Sequence, residues 1–169
     1  FGRHAADKRD EPGSGKPDTF DFLGFTFICA KTRRGAFLLK RKSRRDRVRA
    51  KLRDIKDALR QRMHQPIDET GAWLASVVRG FFNYHAVPTN SRTLAAFRNR
   101  VIQLWVAALA RRSQRARITR ALISRLNGYL PAPRILHPWP QQRFAVKHPR
   151  WEPYAGKPLV RFCAWGAQK

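Results

Sequence analysis

The sequence predicts a mainly α-helical fold in which a β-hairpin over residues 20–40 precedes a bundle of three or four helices over 41–130. Three observations lead to this prediction. Apolar residues recur at helical spacing from Glu69 to Arg115, aromatic and β-branched residues dominate the stretch near the N-terminus, and Pro interrupts any period after residue 130. The remainder, 131–169, is therefore expected to be an irregular, basic segment rich in Pro and aromatic residues, with one strand at Leu159–Ala164.

Residues 1–19 mix Gly, Pro, Ser and both charges, which is typical of a linker. The run FDFLGFTFICA that follows has the composition of a strand, and AFLLK, after the turn signal Thr32–Gly35, can be its partner. We therefore expect a two-stranded hairpin over 20–40. A lone hairpin is marginal in water, so it should pack against the helices that follow or against a preceding part of the protein.

The first helix is predicted from Ser43 to Met63, with a narrow apolar face and Ser43 as its N-cap. Most of its other residues are Arg or Lys. Ion pairs at helical spacing are expected to join Asp46 with Arg49, Arg53 with Asp57, and Asp57 with Arg60.

Two central helices are predicted next, separated by Pro88, with Asn90 or Ser91 as the cap of the second, and a shorter helix is expected around Thr119–Leu130. Asp68 and Glu69 suit the first turn of the earlier helix. Arg98 falls inside an apolar arc, where we expect its side chain to snorkel from the edge of the core. The large aromatic residues at helical spacing are predicted to form the core rather than a base-stacking surface: Trp73, Phe81, Phe82, Phe97 and Trp105.

The charge balance is the main functional signal. Thirty-six Lys and Arg face 11 Asp and Glu, for a net charge of +25, and Glu152 is the only acidic residue after Thr70. Such one-signed charge indicates a polyanionic partner, and nucleic acid is the first choice. The basic residues concentrate in three clusters, at 40–47, 111–120 and 134–150. A membrane partner is not expected, since there is no lipidation signal and no run of about 20 apolar residues.

The sequence contains few signs of disulfides, metal sites or catalytic motifs. Cys29 and Cys163 do not suggest a disulfide framework or a zinc site and fit a reducing cytoplasm. No pair of carboxylates is placed to hold Mg²⁺, and neither a phosphate-binding glycine loop nor a Ser/His/Asp set stands out. We expect no cofactor, no small-molecule substrate and no catalysis by this stretch alone.

The histidines are scattered along the sequence and form no motif. The histidines are expected to be surface or packing residues: His64, His85, His137 and His148. Stacking on bases and packing over the bundle are equally compatible with the aromatics of the last segment: Trp139, Trp151, Tyr154 and Trp165.

Several motifs in this order resemble one protein family. They are TFDFLGFTF at 19–27, KTRRGAF at 31–37, WLASVVRGFFNYHAVPTN at 73–90, the LW and RRSQ elements at 104–105 and 111–114, and the segments LPAPRILHPWPQQRFAV and HPRWEPYAGKPLVRFCAWGA. Together they are similar to the C-terminal part of bacterial group II intron reverse transcriptase/maturases.

The resemblance implies that the hairpin closes a polymerase palm and that residues 41–130 form the thumb, or maturase-specific (X) domain. It implies binding of group II intron RNA in support of splicing, gripping of an RNA template-primer duplex, and target DNA as a further partner. The RNA-binding candidates that it implies lie in the basic cluster at 40–47, in a polar stripe opposite the apolar face of the first central helix, and after the second central helix. They are Lys40, Arg41, Lys42, Arg44, Arg45, Arg47, Arg79, Asn83, Arg111, Arg112, Ser113, Gln114 and Arg115.

The family's catalytic Tyr-x-Asp-Asp has no counterpart here, and no His-Asn-His endonuclease module is evident. Because the sequence also begins at Phe1, we expect a fragment or a truncated copy. Mg²⁺ is expected only for the polymerase domain that this chain lacks. Two alternatives stay open: RNA-directed DNA polymerase activity as part of a longer chain, and a stand-alone basic nucleic-acid-binding protein.

Overall fold

A computed structural model describes residues 19–112 and 118–139, which form a three-stranded antiparallel sheet followed by four helices. The strands are β1 (Thr19–Phe22), β2 (Phe25–Lys31) and β3 (Phe37–Ser43). The helices are α1 (Arg45–Gln61), α2 (Ile67–His85), α3 (Ser91–Ala110) and α4 (Arg120–Tyr129). By its internal contacts the chain divides into two units, 1–137 and 138–169, and the predicted strand at 159–164 lies outside the described residues.

The sheet confirms the predicted hairpin, because β2 and β3 pair on either side of the turn at Thr32–Gly35, but it contains a third strand, β1, that was not predicted. The strand order is β1-β2-β3, and Phe22 pairs directly with Phe25, so a two-residue turn splits the run that was predicted as one strand. Leu23 and Gly24 in that turn have φ values of 45° and 76°. This is the conformation of a type I′ turn, which Asn or Asp usually occupies at its first position. Because position 23 is Leu and not Asn or Asp, the sequence did not indicate this turn.

The helices lie close to their predicted positions. The prediction of Ser43 as a cap is wrong, and that of Asn90 is confirmed for its position but not for its side chain. Ser43 ends β3 instead of capping α1, and its side chain is buried. Asn90 does precede α3, yet its side chain makes no capping hydrogen bond. Thr119 is an N-cap, because its hydroxyl accepts from the Leu122 N–H at 3.2 Å. Within the described ranges, every helix is too short or too polar to cross a membrane.

The aromatic residues that were predicted to form the core do so. Trp105, Phe97, Phe82 and Phe81 are at most 8% exposed, and the rings of Phe81 and Phe97 stack at 3.8 Å between centroids. Trp73 is partly buried, with the Arg62 guanidinium 4.8 Å above its ring. The four helices contribute jointly to this core, so its formation fixes the positions of the surface residues between them.

Arg98 has a different role from the predicted snorkelling. Its guanidinium donates to the backbone carbonyls of Asn127 (2.7 Å), Leu130 (3.3 Å) and Pro131 (3.1 Å), and also to the side-chain oxygen of Asn127 (3.0 Å). The last carbonyls of a helix lack partners within the helix, and a cation there also complements the helix dipole. Arg98 therefore caps the C-terminus of α4 and ties it to α3.

The start of α2 also contacts α4. The Asp68 carboxylate accepts from the Tyr129 hydroxyl and pairs with Arg125 at 2.9 Å, and the first of these contacts does most to lower the pKa of Asp68. A Cβ on Gly71 would lie 2.6 Å from the Tyr129 ring. The close approach of these two helices therefore requires glycine at position 71.

Candidate nucleic-acid interface

The turn between α2 and α3 binds the outer edge of β3. The Thr89 hydroxyl accepts from the Arg41 N–H at 2.9 Å and donates to the Arg41 carbonyl at 3.2 Å. Next to it, the Asn90 side chain accepts from the Ser43 N–H at 3.1 Å. These side chains complete the hydrogen bonding of an edge strand that would otherwise expose its backbone. Thr89 has a φ of 75°, which is strained for a β-branched residue and is held by these contacts.

A buried polar network lies behind this edge. The Asn90 amide donates to the Ser43 hydroxyl (2.8 Å) and to the His85 carbonyl (2.8 Å), and the Ser43 hydroxyl lies 2.9 Å from Nδ1 of His85. The Ser43 oxygen accepts from Asn90 and shares a second hydrogen bond with Nδ1 of His85, whose direction depends on the tautomer of the imidazole. Burial lowers the pKa of His85, in agreement with a neutral ring. We call Ser43, His85, Thr89 and Asn90 the junction.

Aromatic contacts reinforce the junction. The rings of Phe25, Phe81 and Tyr84 lie 5.1, 4.2 and 4.9 Å from the His85 ring, between centroids. Tyr84 also donates from its hydroxyl to the carbonyl of Leu23 at 2.6 Å, in the turn between the first two strands. The sheet is therefore joined to the end of α2 at the point where β2 begins, since Phe25 pairs with Ser43 there. Because β3 ends at Ser43 in the junction, this attachment also fixes the position at which α1 begins.

Four of the predicted RNA-binding side chains are exposed where β3 leads into α1. Lys40 and Lys42 project from the strand, and Arg45 and Arg47 lie in the first turn of the helix. Within residues 19–112 and 118–139, none of the four forms an ion pair. Their charges, which also oppose the helix dipole, are available to an anion from outside.

The other two members of this cluster are engaged within the protein. The Arg44 guanidinium donates to both carboxylate oxygens of Asp46 at 3.1 and 2.8 Å, and it lies 3.4 Å from Asp21. Desolvation acts to raise the pKa of Asp46, but the hydrogen bonds and charge of Arg44 outweigh it and the pKa is lowered. Arg41 is half-buried, which lowers its pKa, and its Nη2 is buried without a hydrogen bond. Both residues are structural rather than free cations.

The ion pairs predicted along α1 form only in part. Asp57 does pair with Arg60, at 3.6 Å. The predicted pair of Asp46 with Arg49 is wrong, because Asp46 binds Arg44 instead. The described contacts also lack the predicted pair of Arg53 with Asp57. Consequently more of the positive charge on α1 remains unneutralised than the sequence spacing indicates.

Arg79 and Asn83 are exposed on α2, as their polar stripe predicts. Near Asn83, the segment after α4 returns to the end of α2. The Leu136 and His137 N–H groups donate to the Ala86 carbonyl at 3.0 and 3.1 Å, and Nε2 of His137 lies 2.6 Å from the Asn83 carbonyl. Asn83 therefore sits beside chain that covers the helix end, whereas Arg79 is open to solvent.

The last predicted group follows α3. Arg111 is exposed, but Arg112 donates to the Gln65 carbonyl in the connection between α1 and α2, and it is partly buried. Ser113, Gln114 and Arg115 lie outside the described residues. Because Gln65 follows the C-terminus of α1, this group and the Lys40–Arg47 cluster lie at opposite ends of that helix, about 25 Å apart at 1.5 Å per residue.

The arrangement is thus suited to binding phosphates at more than one place. Nowhere in the described ranges do three or more His, Cys, Asp or Glu side chains come together as they would to hold a metal ion. The junction residues, which position the basic cluster, are not marked by any sequence motif. Only the unusual polar content of NYHAVPTN at 83–90, at the end of an apolar helix, could have drawn attention to them.

Comparisons of the chain with protein-family models, with curated proteins and with solved structures yield no significant match.

Proposed function

We propose that this chain binds RNA as the thumb/maturase domain of a group II intron reverse transcriptase, supporting intron splicing and gripping a template-primer duplex. The observation that carries the proposal is the exposed, unpaired cluster Lys40, Lys42, Arg45 and Arg47 in a protein of net charge +25. Such a cluster binds phosphates, and the ordered motifs of the sequence indicate which RNA. By preferring the folded intron, the domain would stabilise its splicing-competent state.

A structured RNA is a more suitable partner than a base-specific site in DNA. The major groove of A-form RNA is too deep and narrow for side chains to reach the bases, so proteins bind the duplex through phosphates, 2′-hydroxyls and shape. The cationic side chains of the cluster can supply the phosphate contacts, and specificity for the intron would come from the spacing of several such contacts. This function places the protein in the cytoplasm, where the intron is transcribed and spliced.

The test is binding of the full chain to a group II intron RNA, to a random duplex of equal length and to unstructured RNA, across a salt series. The variant Arg45→Gln/Arg47→Gln should weaken binding to intron RNA and lower the salt slope by about two. A matched control is Arg33→Gln/Arg34→Gln, which removes two exposed arginines from the turn between β2 and β3 and should change binding less. Equal affinity for unstructured and intron RNA at near-physiological salt would refute the proposal.

The related proposal of polymerase activity concerns a longer protein. It requires a Tyr-x-Asp-Asp encoded upstream of Phe1, so reading the gene in that direction tests it. A stand-alone basic nucleic-acid-binding protein would show no preference for intron RNA over ribosomal RNA in the same assay.

A further inference from the structure

Helix α1 carries a continuous row of five basic side chains, of which only Arg45 belongs to the predicted RNA-binding residues. Residues 45, 49, 53, 56 and 60 are all Arg or Lys and all exposed. At 3.6 residues per turn they occupy an arc of about 80° and extend for about 22 Å along the helix. We call these five residues the α1 row: Arg45, Arg49, Arg53, Lys56 and Arg60.

The acidic residues of α1 lie on the other side of this row. Asp46, Asp57 and Asp54 follow in that order around the helix, outside the basic arc, while the apolar face is buried against the core. Asp57 neutralises Arg60 at one end. Within the described residues, the other four members of the row have no ion pair. The segregation leaves a linear positive surface instead of a mixed one.

The position of α1 gives the row its significance. The helix begins one residue after β3, beside Lys40 and Lys42, and its far end leads to the connection that Arg112 binds. The row therefore joins the two predicted basic groups, which the structure places at opposite ends of α1. A single extended ligand that follows this helix could contact both groups.

The chemistry of the row favours a duplex over a single strand. Proteins that bind single strands combine cations with aromatic side chains on which bases stack, and α1 contains no aromatic residue. A duplex carries one negative charge per about 1.7 Å of axis on a stiff framework, which suits a straight row of cations. We propose that α1 lies along the phosphate backbone of an RNA duplex and that the α1 row makes the contacts. This inference rests on the proposed function and specifies which helix binds and which form of RNA it prefers.

Two lysines on α1 provide a matched test. Lys56 is in the row, whereas Lys51 is exposed on the same helix about 140° away. We expect Lys56→Gln to weaken binding of the full chain to a short random-sequence RNA duplex severalfold and to reduce its salt slope by about one. Lys51→Gln should have a clearly smaller effect on duplex binding. Both variants should weaken binding to single-stranded RNA of the same sequence by the same factor.

A gain of affinity provides a second test that misfolding cannot imitate. Asp57→Asn releases Arg60 from its ion pair and should tighten duplex binding, whereas Asp54→Asn, farther from the row, should do so less. Equal effects of the two lysine variants together with equal effects of the two aspartate variants would overturn the proposal. If wild-type protein still prefers intron RNA in that case, only this inference fails. If wild-type protein binds no RNA, both this inference and the proposed function fail.

Discussion

Replacing Asn90 by Ala should destabilise the protein strongly, because its amide connects the sheet to the helices. The side chain is 0% exposed and makes three hydrogen bonds, to the Ser43 N–H, the Ser43 hydroxyl and the His85 carbonyl. The carbonyl keeps its bond from Val87 at 2.8 Å and the hydroxyl keeps His85, but the Ser43 N–H is left buried without a partner. One such orphan costs about 1–3 kcal/mol, and each lost bond about 0.5–1.5 kcal/mol.

With the two other lost bonds added to the orphan, the expected loss for Asn90→Ala is about 2–6 kcal/mol, a large part of the roughly 5–15 kcal/mol that stabilises a domain. Urea unfolding gives the free energy of unfolding, and hydrogen exchange at the Ser43 amide should accelerate in the variant. Asn99→Ala is the control, since Asn99 is exposed on the same helix and should change stability by less than about 0.5 kcal/mol.

The competing explanation is that Asn90 acts as the N-cap of α3. Asp and Ser are both good N-caps, so Asn90→Asp and Asn90→Ser would then keep nearly full stability. The junction predicts otherwise, because neither residue can both accept from Ser43 N–H and donate to His85 across the same distance. Wild-type stability in either variant would refute the reasoning from the junction.

Three further predictions concern packing, capping and pH. Gly71→Ala should lower the free energy of unfolding in urea by about 1–3 kcal/mol, because its Cβ would clash with the tyrosine ring on α4. Gly80→Ala lies in open space on the same helix and should raise that free energy by about 0.5–1 kcal/mol. An increase for both variants would contradict the close approach of α2 and α4. Arg98→Lys should lower the free energy of unfolding by about 1–3 kcal/mol, because an ammonium cannot bind four acceptors at once. Arg100→Lys should leave that free energy unchanged. Equal effects of the two variants would argue against capping by Arg98. Burial lowers the pKa of His85, so the unfolded chain binds more protons, and stability should be complete above about pH 6.5 and decline as the pH falls below it. His85→Gln should flatten that part of the stability–pH curve, and an unchanged curve would contradict a neutral buried His85.

The helices could be predicted because their signal is local. Val48, Leu52, Ile55 and Leu59 repeat at helical spacing, and the structure buries or half-buries all four in the core. The exposure of the basic cluster could be predicted for a similar reason, since four long charged side chains seldom find buried partners so close together. The engagement of Arg112 could not, because the Gln65 carbonyl is brought near only by folding. Arg44 has a local partner in Asp46, but its contact with Asp21 also depends on the fold.

The order of strands before helices, the residues of the core and the large excess of positive charge can be predicted from the sequence. These properties follow from composition and from periods of two and 3.6, which act over a few neighbouring residues. The tertiary structure alone decided that Leu23 and Gly24 turn the chain, that Arg98 caps α4 and that Asn90 binds β3 instead of capping a helix. The last of these contacts joins residues 47 positions apart. No periodicity records such a pairing, because it is selected only when the core places both elements within hydrogen-bond distance.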